Sequence, residues 1–456
     1  MDLEPDVLVI GGGLAGLVAG ITAAQMGFDT IVVRKGQGAT ADSSGAVDVS
    51  GYIQGGGTPF ISPIEGTIAY SSLMPFHPYT TIGIKNVGDR FNGDYLVENV
   101  RHTIDWVKAT LKDTPAELVG QSTSNISALT VIGTWKPTCL VQSTMYSSRL
   151  GNDDEVLLFA GIKGMPSFSP SAAAKSMISL VMASEVGPRK IVHTLLDIPS
   201  ICTRPNLSCI EVARKLDTVE GLADFTKALA DQVLKTNSTI VALPPILGTK
   251  NPKQIKSHLE TEIDVEVFEL LSFPPSVPGL RLQRSLEIAL RQAGGRLLVG
   301  HEAKNYEIEN SKITSIHLNS PRRSISVKPK AIVLATGKFI GGGIESDVNG
   351  LTEPVFGLPV LDGDRISALT VKPQRLTKRA AITNEGHPLF ECGIGFDATL
   401  RPLAGTGAPF ASNLFAAGSI LSGYNYPAEK SGLGVALITG RDAGRRASDY
   451  AKEVFQ

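Results

Sequence analysis

A short apolar strand, Asp6-Val-Leu-Val-Ile10, runs directly into Gly11-Gly-Gly-Leu-Ala-Gly16, and this junction restricts the fold more than any other stretch of the chain. Glycines at this spacing have separate jobs. Gly11 permits a tight turn, Gly13 lets a phosphate approach bare backbone, and Gly16 lets the next helix lie close on its strand. The helix N-terminus then offers free N–H groups and a partial positive charge to an anion. A small-residue helix expected over Leu14 to Met26 and a second strand over Thr30 to Val33 follow in the order a Rossmann unit requires, with Leu14 and Ala15 beside the ligand. About 20 residues after the glycines, where an acid usually accepts a hydrogen bond from an adenosine ribose, stands Arg34. An arginine cannot accept that bond; it pairs with a phosphate or points into solvent.

The run Val7 to Phe28 carries no charge and is long enough to suggest a membrane helix. Its six glycines, and a start at Asp2 and Glu4 with no basic residue before it, argue against both a spanning helix and a secretory leader, so a soluble, intracellular protein is expected. With 456 residues and 42% hydrophobic composition the chain can bury a large core. Lys+Arg 43 against Asp+Glu 44 leaves a net charge of −1, which excludes a global field for nucleic acid or an anionic membrane. The local basic cluster Arg322-Arg323 reads as a solvated face. Cys139, Cys202, Cys209 and Cys392 lack CxxC spacing and the seven histidines lack ligand spacing, so no metal site or disulfide framework is expected.

Further along, Thr40 to Asp48 is rich in turn formers and reads as loop. Helical patterning returns around Val97 to Leu111. Strand candidates at Glu155 to Ala160, Lys190 to Leu195 and Thr239 to Leu243, with a helix over Ala172 to Ala183, suggest a second, smaller α/β unit. After a helix from Leu280 to Gln292 that ends at Gly294-Gly295, a meander of strands is expected over Arg296 to Gly300, Lys304 to Glu309, Ile313 to Leu318 and Ser324 to Val327. It leads into Ala331-Ile-Val-Leu-Ala-Thr336-Gly337, a buried parallel strand stopped by glycine. The fold class expected is α/β: a discontinuous Rossmann-type FAD/NAD(P)-binding domain, residues 1–75 and 272–456, around an inserted α/β domain, residues 76–271.

A third glycine constellation lies near the C-terminus. Asn413-Leu-Phe-Ala-Ala-Gly418-Ser419 ends a strand, and Gly432-Leu433-Gly434 opens a helix, which supplies a second positive helix end aimed at the middle of the fold. Two such ends, one for a phosphate and one for the N1/C2=O edge of a reduced isoalloxazine, exceed what a nucleotide alone requires.

The DVLVIGGGLAG start, the VLATG strand and the NLFAAGS segment with its GLGVALITGRDAG helix resemble the flavoprotein class that includes fumarate reductase and the glycerol-3-phosphate dehydrogenases. Within it the chain is most similar to the family of B subunits of anaerobic glycerol-3-phosphate dehydrogenase. The residues that carry this are Ser43-Ser-Gly45, His77-Pro-Tyr79, Leu271-Ser-Phe-Pro-Pro-Ser-Val-Pro-Gly-Leu-Arg-Leu-Gln283, Glu353-Pro-Val-Phe-Gly-Leu358 and Thr399-Leu-Arg-Pro402. They span most of the chain, with residues 100–260 the weakest zone.

The resemblance implies a flavin subunit of a three-part glycerol-3-phosphate dehydrogenase (quinone). A partner subunit with FAD oxidises sn-glycerol 3-phosphate to glycerone phosphate, this chain holds a second flavin, FMN, and an iron–sulfur subunit at the membrane passes electrons to quinone. FAD is the alternative cofactor. The location implied is cytoplasmic, with peripheral attachment at the cytoplasmic face through the partner. Arg34 suits FMN, whose terminal phosphate carries more charge than a diester. Relatives attach flavin through a histidine soon after the first strands. Here that region has Ser43 and Ser44, so a non-covalent flavin is expected, with Ser43, Ser44 and Gly45 near its ring or ribityl chain. The same serines equally suit a capping turn. Arg281, Arg284 and Arg401 are candidates for an anionic substrate or for surface ion pairs. His77 and His387 are candidates for proton transfer by residue type alone. Two competing readings stay open: a self-sufficient FAD dehydrogenase or reductase of a small anionic substrate, and a flavin-free scaffold that kept the fold.

Overall fold

The apolar runs at the two ends of the chain pair with one another. In the computed structural model, which describes residues 2–53, 56–86, 88–184, 187–320, 324–348, 350–363 and 375–453, five parallel strands form one sheet. Their order is Arg296–Val299, Thr30–Arg34, Val7–Ile10, Ala331–Leu334 and Leu414–Ala416. The three inner strands are buried almost throughout, as their unbroken Val/Ile/Leu content requires of a sheet covered on both faces. Helix Leu14–Gln25 packs against both Val277–Gln292 and Gly432–Glu453. The contact with Gly432–Glu453 is a seam of small residues, because a Cβ at Gly440 would lie 2.6 Å from the Ala15 carbonyl oxygen and one at Gly444 2.5 Å from that of Ala19.

Strands Glu302–Glu309, Lys312–Asn319 and Ser324–Val327 form an antiparallel sheet, to which Asp2–Leu3 adds in parallel, and Ile313, Ile316 and Leu318 share the core of the large sheet. Arg296–Val299 does not join this meander as expected. It crosses over from helix Val277–Gln292 and pairs in parallel with Thr30–Arg34, setting Leu297 and Leu298 beside Val32 and Val33. The segment expected as loop from Thr40 contains one helical turn, Ala39–Asp42, whose alanines favour it.

A second parallel sheet, ordered Glu266–Glu269, Ile240–Leu243, Val156–Ile162 and Lys190–Leu196, has its own hydrophobic core. That core begins at Leu129, well past residue 76. Tyr79, Ile82, Leu96, Val100, Ile104 and Val107 belong instead to the core of the five-stranded sheet, where helix Gly93–Thr110 turns its apolar stripe toward Gly432–Glu453. Arg322 and Arg323 lie outside the described residues. Among the described residues no helix is long and apolar enough to cross a membrane.

Candidate flavin site

A cavity of about 1060 Å³ opens where the first strand meets its glycines. Gly11 turns the chain at φ 119°, and a Cβ there would sit 2.1 Å from the Ala335 carbonyl oxygen. Gly16 seats the helix, since a Cβ would lie 1.8 Å from the Gly11 oxygen. Gly13 is different: its φ of −83° suits any residue, and a Cβ would meet only the Thr40 hydroxyl at 3.3 Å. Its lack of a side chain keeps the cavity open, not the backbone relaxed. Thr40 Oγ1 accepts from Leu14 N–H at 2.8 Å, so the added helical turn caps the nucleotide helix. Among the described residues, the amides of Gly12 and Gly13 donate to nothing in the protein and face the cavity.

The other expected contacts divide by position. Gly11, Gly13, Leu14, Ala15, Ser43 and Ser44 line the cavity from the first unit, and Thr336, Gly337, Ser419, Gly432 and Leu433 line it from the C-terminal constellation. The Thr336 hydroxyl is buried there without a hydrogen-bond partner. Gly16, Gly45, Gly418 and Gly434 stand behind the wall. Gly45 packs on Pro278, Gly418 on Ala15, and Gly434 on Asp48, whose carbonyl accepts its N–H at 2.8 Å. These four are packing glycines that let elements approach each other. Ser43 is bound into the turn itself, with Oγ donating to Thr40 O at 2.7 Å and accepting from Gly45 N–H at 3.3 Å.

Arg34 lines the cavity with its stem against Gly12, but its guanidinium pairs with Glu287 from helix Val277–Gln292. Gln283 ties this pair to the loop by donating to Gly12 O at 2.9 Å and to Glu287 Oε1 at 2.8 Å. The charge expected to meet a terminal phosphate therefore has a carboxylate of its own, from a neighbouring helix. Sequence spacing alone could not reveal that pairing over 253 positions.

The candidate catalytic residues lie elsewhere. Arg281 is wholly buried, with Nη1 and Nη2 at 2.6 and 3.0 Å from the two Glu269 carboxylate oxygens and Nε at 2.9 Å from Gly248 O. It joins the two cores and has no donor to offer a substrate. Arg401 pairs with Asp397 at 2.9 Å away from the cavity, and Arg284 lines a separate small pocket of about 320 Å³. His77 caps helix Pro78–Ile82, accepting from Tyr79 N–H at 3.0 Å, and its Nε2 lies 3.2 Å from the buried Glu429 carboxylate, with the ring stacked on Tyr70. His387 accepts from Lys378 N–H at 2.9 Å and has Nε2 3.1 Å from Ala381 O. Neither histidine lines the cavity.

The most deeply buried titratable side chain on the wall belongs to none of the sequence motifs. Lys338 directly follows the Ala-Thr-Gly stop of its strand and is buried on the cavity lining. Its Nζ donates to Phe390 O and lies 5.4 and 5.9 Å from the ring centres of Tyr424 and Tyr426. Burial pushes its pKa down to about 7, against the weaker opposing pull of Cys392, Glu391 and Glu429. A lysine placed immediately after a buried strand is the one signal of it that the sequence offers.

Residues 6–435 match the family model described as FAD binding domain. The chain is 30% identical to a Halobacterium salinarum protein named as the probable B subunit of anaerobic glycerol-3-phosphate dehydrogenase, over 98% of this chain and 99% of that one. The chain belongs to that B-subunit family. A Vibrio vulnificus member, named as the B subunit of anaerobic glycerol-3-phosphate dehydrogenase, is 28% identical over 98% of this chain and 96% of its own length. Among solved structures, the 3-ketosteroid delta1-dehydrogenase of Sterolibacterium denitrificans is 11% identical, covering 98% of this chain and 99% of that chain at a TM-score of 0.41, a likeness too distant to inform the site. This member of the family is thus a flavoprotein, and the open glycine loop, the unpartnered Thr336 hydroxyl and the second helix end fit a flavin. The matched model describes FAD and gives no support to FMN.

Proposed function

We propose that the cavity holds FAD, and that the chain is the electron-relaying flavin subunit of an anaerobic glycerol-3-phosphate:quinone oxidoreductase. The observation that carries the choice of FAD is the reach of the cavity. It continues past the glycine loop and Arg34 to His301, Glu302, Ala303 and Lys304, on the side where a Rossmann strand end meets an adenosine. FMN has no adenosine to fill that end. The volume also stands at the top of the range for small-molecule sites, about 300–1,000 Å³. A bound flavin supplies hydride and single-electron chemistry.

The chain's own residues have simpler work in this reading. The Gly12 and Gly13 amides bind phosphate oxygens, the N-terminus of helix Gly432–Glu453 favours negative charge at the ring, and Lys338 holds or releases a proton at Nζ. The relay role is favoured over a self-sufficient dehydrogenase because Arg281, Arg401, His77 and His387 are all engaged away from the cavity. The partners are then an FAD-bearing subunit that oxidises glycerol 3-phosphate and an iron–sulfur subunit that passes electrons to quinone, with this chain peripheral at the cytoplasmic face. The residues of the second core then form a unit inserted into a discontinuous Rossmann-type domain. Releasing the cofactor by denaturation and separating it by chromatography tests the first claim: FAD is expected, and stoichiometric FMN would overturn it. Mixing the isolated chain with glycerol 3-phosphate tests the second: bleaching of the flavin as fast as in the assembled complex would end the relay role.

A further inference from the structure

We propose that the end of the cavity bordered by Lys136, Lys338 and Lys430 is a binding subsite for the oxyanion group, phosphate or carboxylate, of a small ligand seated beside the flavin ring. All three lysines line the cavity. They converge on the turn Tyr426–Glu429: Lys338 lies over the Tyr426 ring, Lys430 ends the turn, and Lys136 reaches the same place through Asp48, 2.5 Å away. Asp48 also accepts, through its carbonyl, from Gly434 in the first turn of helix Gly432–Glu453. The positive helix end therefore belongs to the same group of charges.

Lys136 has its carboxylate in Asp48, but among the described residues neither Lys338 nor Lys430 has a carboxylate within ion-pair distance; Glu391 and Glu429 act on Lys338, and Asp48 on Lys430, only from farther away. Their ammonium groups donate only to carbonyls, Lys338 to Phe390 O and Lys430 to Pro427 O at 2.5 Å. Burial lowers the pKa of both; for Lys430 the neighbouring Lys136 adds to the lowering and Asp48 opposes it, as Glu391 and Glu429 do for Lys338. Two half-compensated ammonium groups on the wall of one cavity are costly unless something negative arrives. An oxyanion between them supplies the missing charge. The three arginines singled out by residue type offer nothing comparable, because Arg281 and Arg401 are already paired and none of the three lines this cavity.

The inference rests on the flavin reading only in naming this as the ring end; the lysines are a matter of the cavity itself. The test is calorimetric titration of the full chain, as purified, with inorganic phosphate, with acetate, and with glycerol as an uncharged control, in wild type, Lys338→Met, Lys430→Met and Lys430→Arg. Saturable phosphate or acetate binding is expected in wild type, at least about tenfold weaker in each Met variant and retained in Lys430→Arg, with no heat from glycerol. Preference for phosphate or acetate distinguishes the two kinds of oxyanion. No oxyanion binding in wild type, or equal affinity in the Met variants, overturns the proposal. Flavin content measured on the same samples separates the two readings. Lysine-dependent binding in a flavin-free protein defeats only the flavin assignment, and lysine-independent binding in a flavin-loaded protein defeats only the subsite.

Discussion

Replacing Lys338 by Met keeps a long unbranched side chain and removes the buried amine, so the two proteins should differ in stability by an amount that depends on pH. Burial takes this amine from its ordinary 10.5 to about 7. At about 1.4 kcal/mol for each tenfold change, that corresponds to about 4–5 kcal/mol. The sign follows from which state keeps the proton. Below about pH 7 the folded and unfolded chains are both protonated, and the folded chain bears the full cost of a buried ammonium. Between about 7 and 10.5 the unfolded chain still holds its proton while the folded chain has released it, so folding costs the release of one proton, and that cost falls as the pH rises. Protons bound by the unfolded chain alone are given up as the pH rises, so wild-type stability increases from about pH 7 to 10.5. Lys338→Met should therefore be more stable than wild type by about 4–5 kcal/mol at pH 6, with the advantage shrinking as the pH approaches 10. Urea unfolding of flavin-free protein at several pH values, followed by tryptophan fluorescence, reads this directly. A difference that stays constant from pH 6 to 10, or a variant less stable at pH 6, would refute the argument that burial of the Lys338 ammonium outweighs its hydrogen bond and the pull of the nearby acids.

Gly13→Val should give a folded but colourless protein, since the new side chain meets little protein and fills the approach to the backbone amides. Visible absorbance and circular dichroism report the two properties separately, and stoichiometric flavin in the variant would move the cofactor elsewhere. Arg281→Met should cost about 3–5 kcal/mol of stability by stranding the buried Glu269 carboxylate. Urea midpoints measure it, and a neutral result would mean that the pair is not the junction between the cores.

The sheet beneath the cavity is legible in the sequence because its inner strands are built on apolar runs, Val7–Ile10 and Ala331–Leu334 leading into glycines and Thr30–Arg34 centred on Ile31-Val-Val33, a pattern fixed by burial on both faces. Arg296–Val299 escapes that logic for the converse reason. It has only two inward apolar residues, so nothing local distinguishes an edge partner of Thr30–Arg34 from the antiparallel strands that follow. Glycine spacing points to the cavity, but it cannot sort glycines on the wall, such as Gly432, from those behind it, such as Gly45, because both are explained by close approach of something. The arginines resemble ligand groups until their acids, Glu269, Glu287 and Asp397, are identified by folding. Lys338 is invisible for a related reason: a lysine beside a buried strand looks like an ordinary surface residue until the tyrosines from residues 424 and 426 close over it.

The glycine seam between helices Leu14–Gln25 and Gly432–Glu453 acts as a gauge. Both helices begin at the cavity, and their spacing is set where Gly440 and Gly444 lie flush against Ala15, in the first turn of Leu14–Gln25, and Ala19, one turn further in. The distance between the two helix ends at the cavity is thus determined in part at Ala19, Gly440 and Gly444, which do not line it. A methyl group added at Gly444 would pry the two ends apart as a caliper opens, and its effect would be felt as a mismatched flavin rather than as a broken fold. The width of the cavity mouth is therefore held by glycines, Gly440 and Gly444, that do not line it.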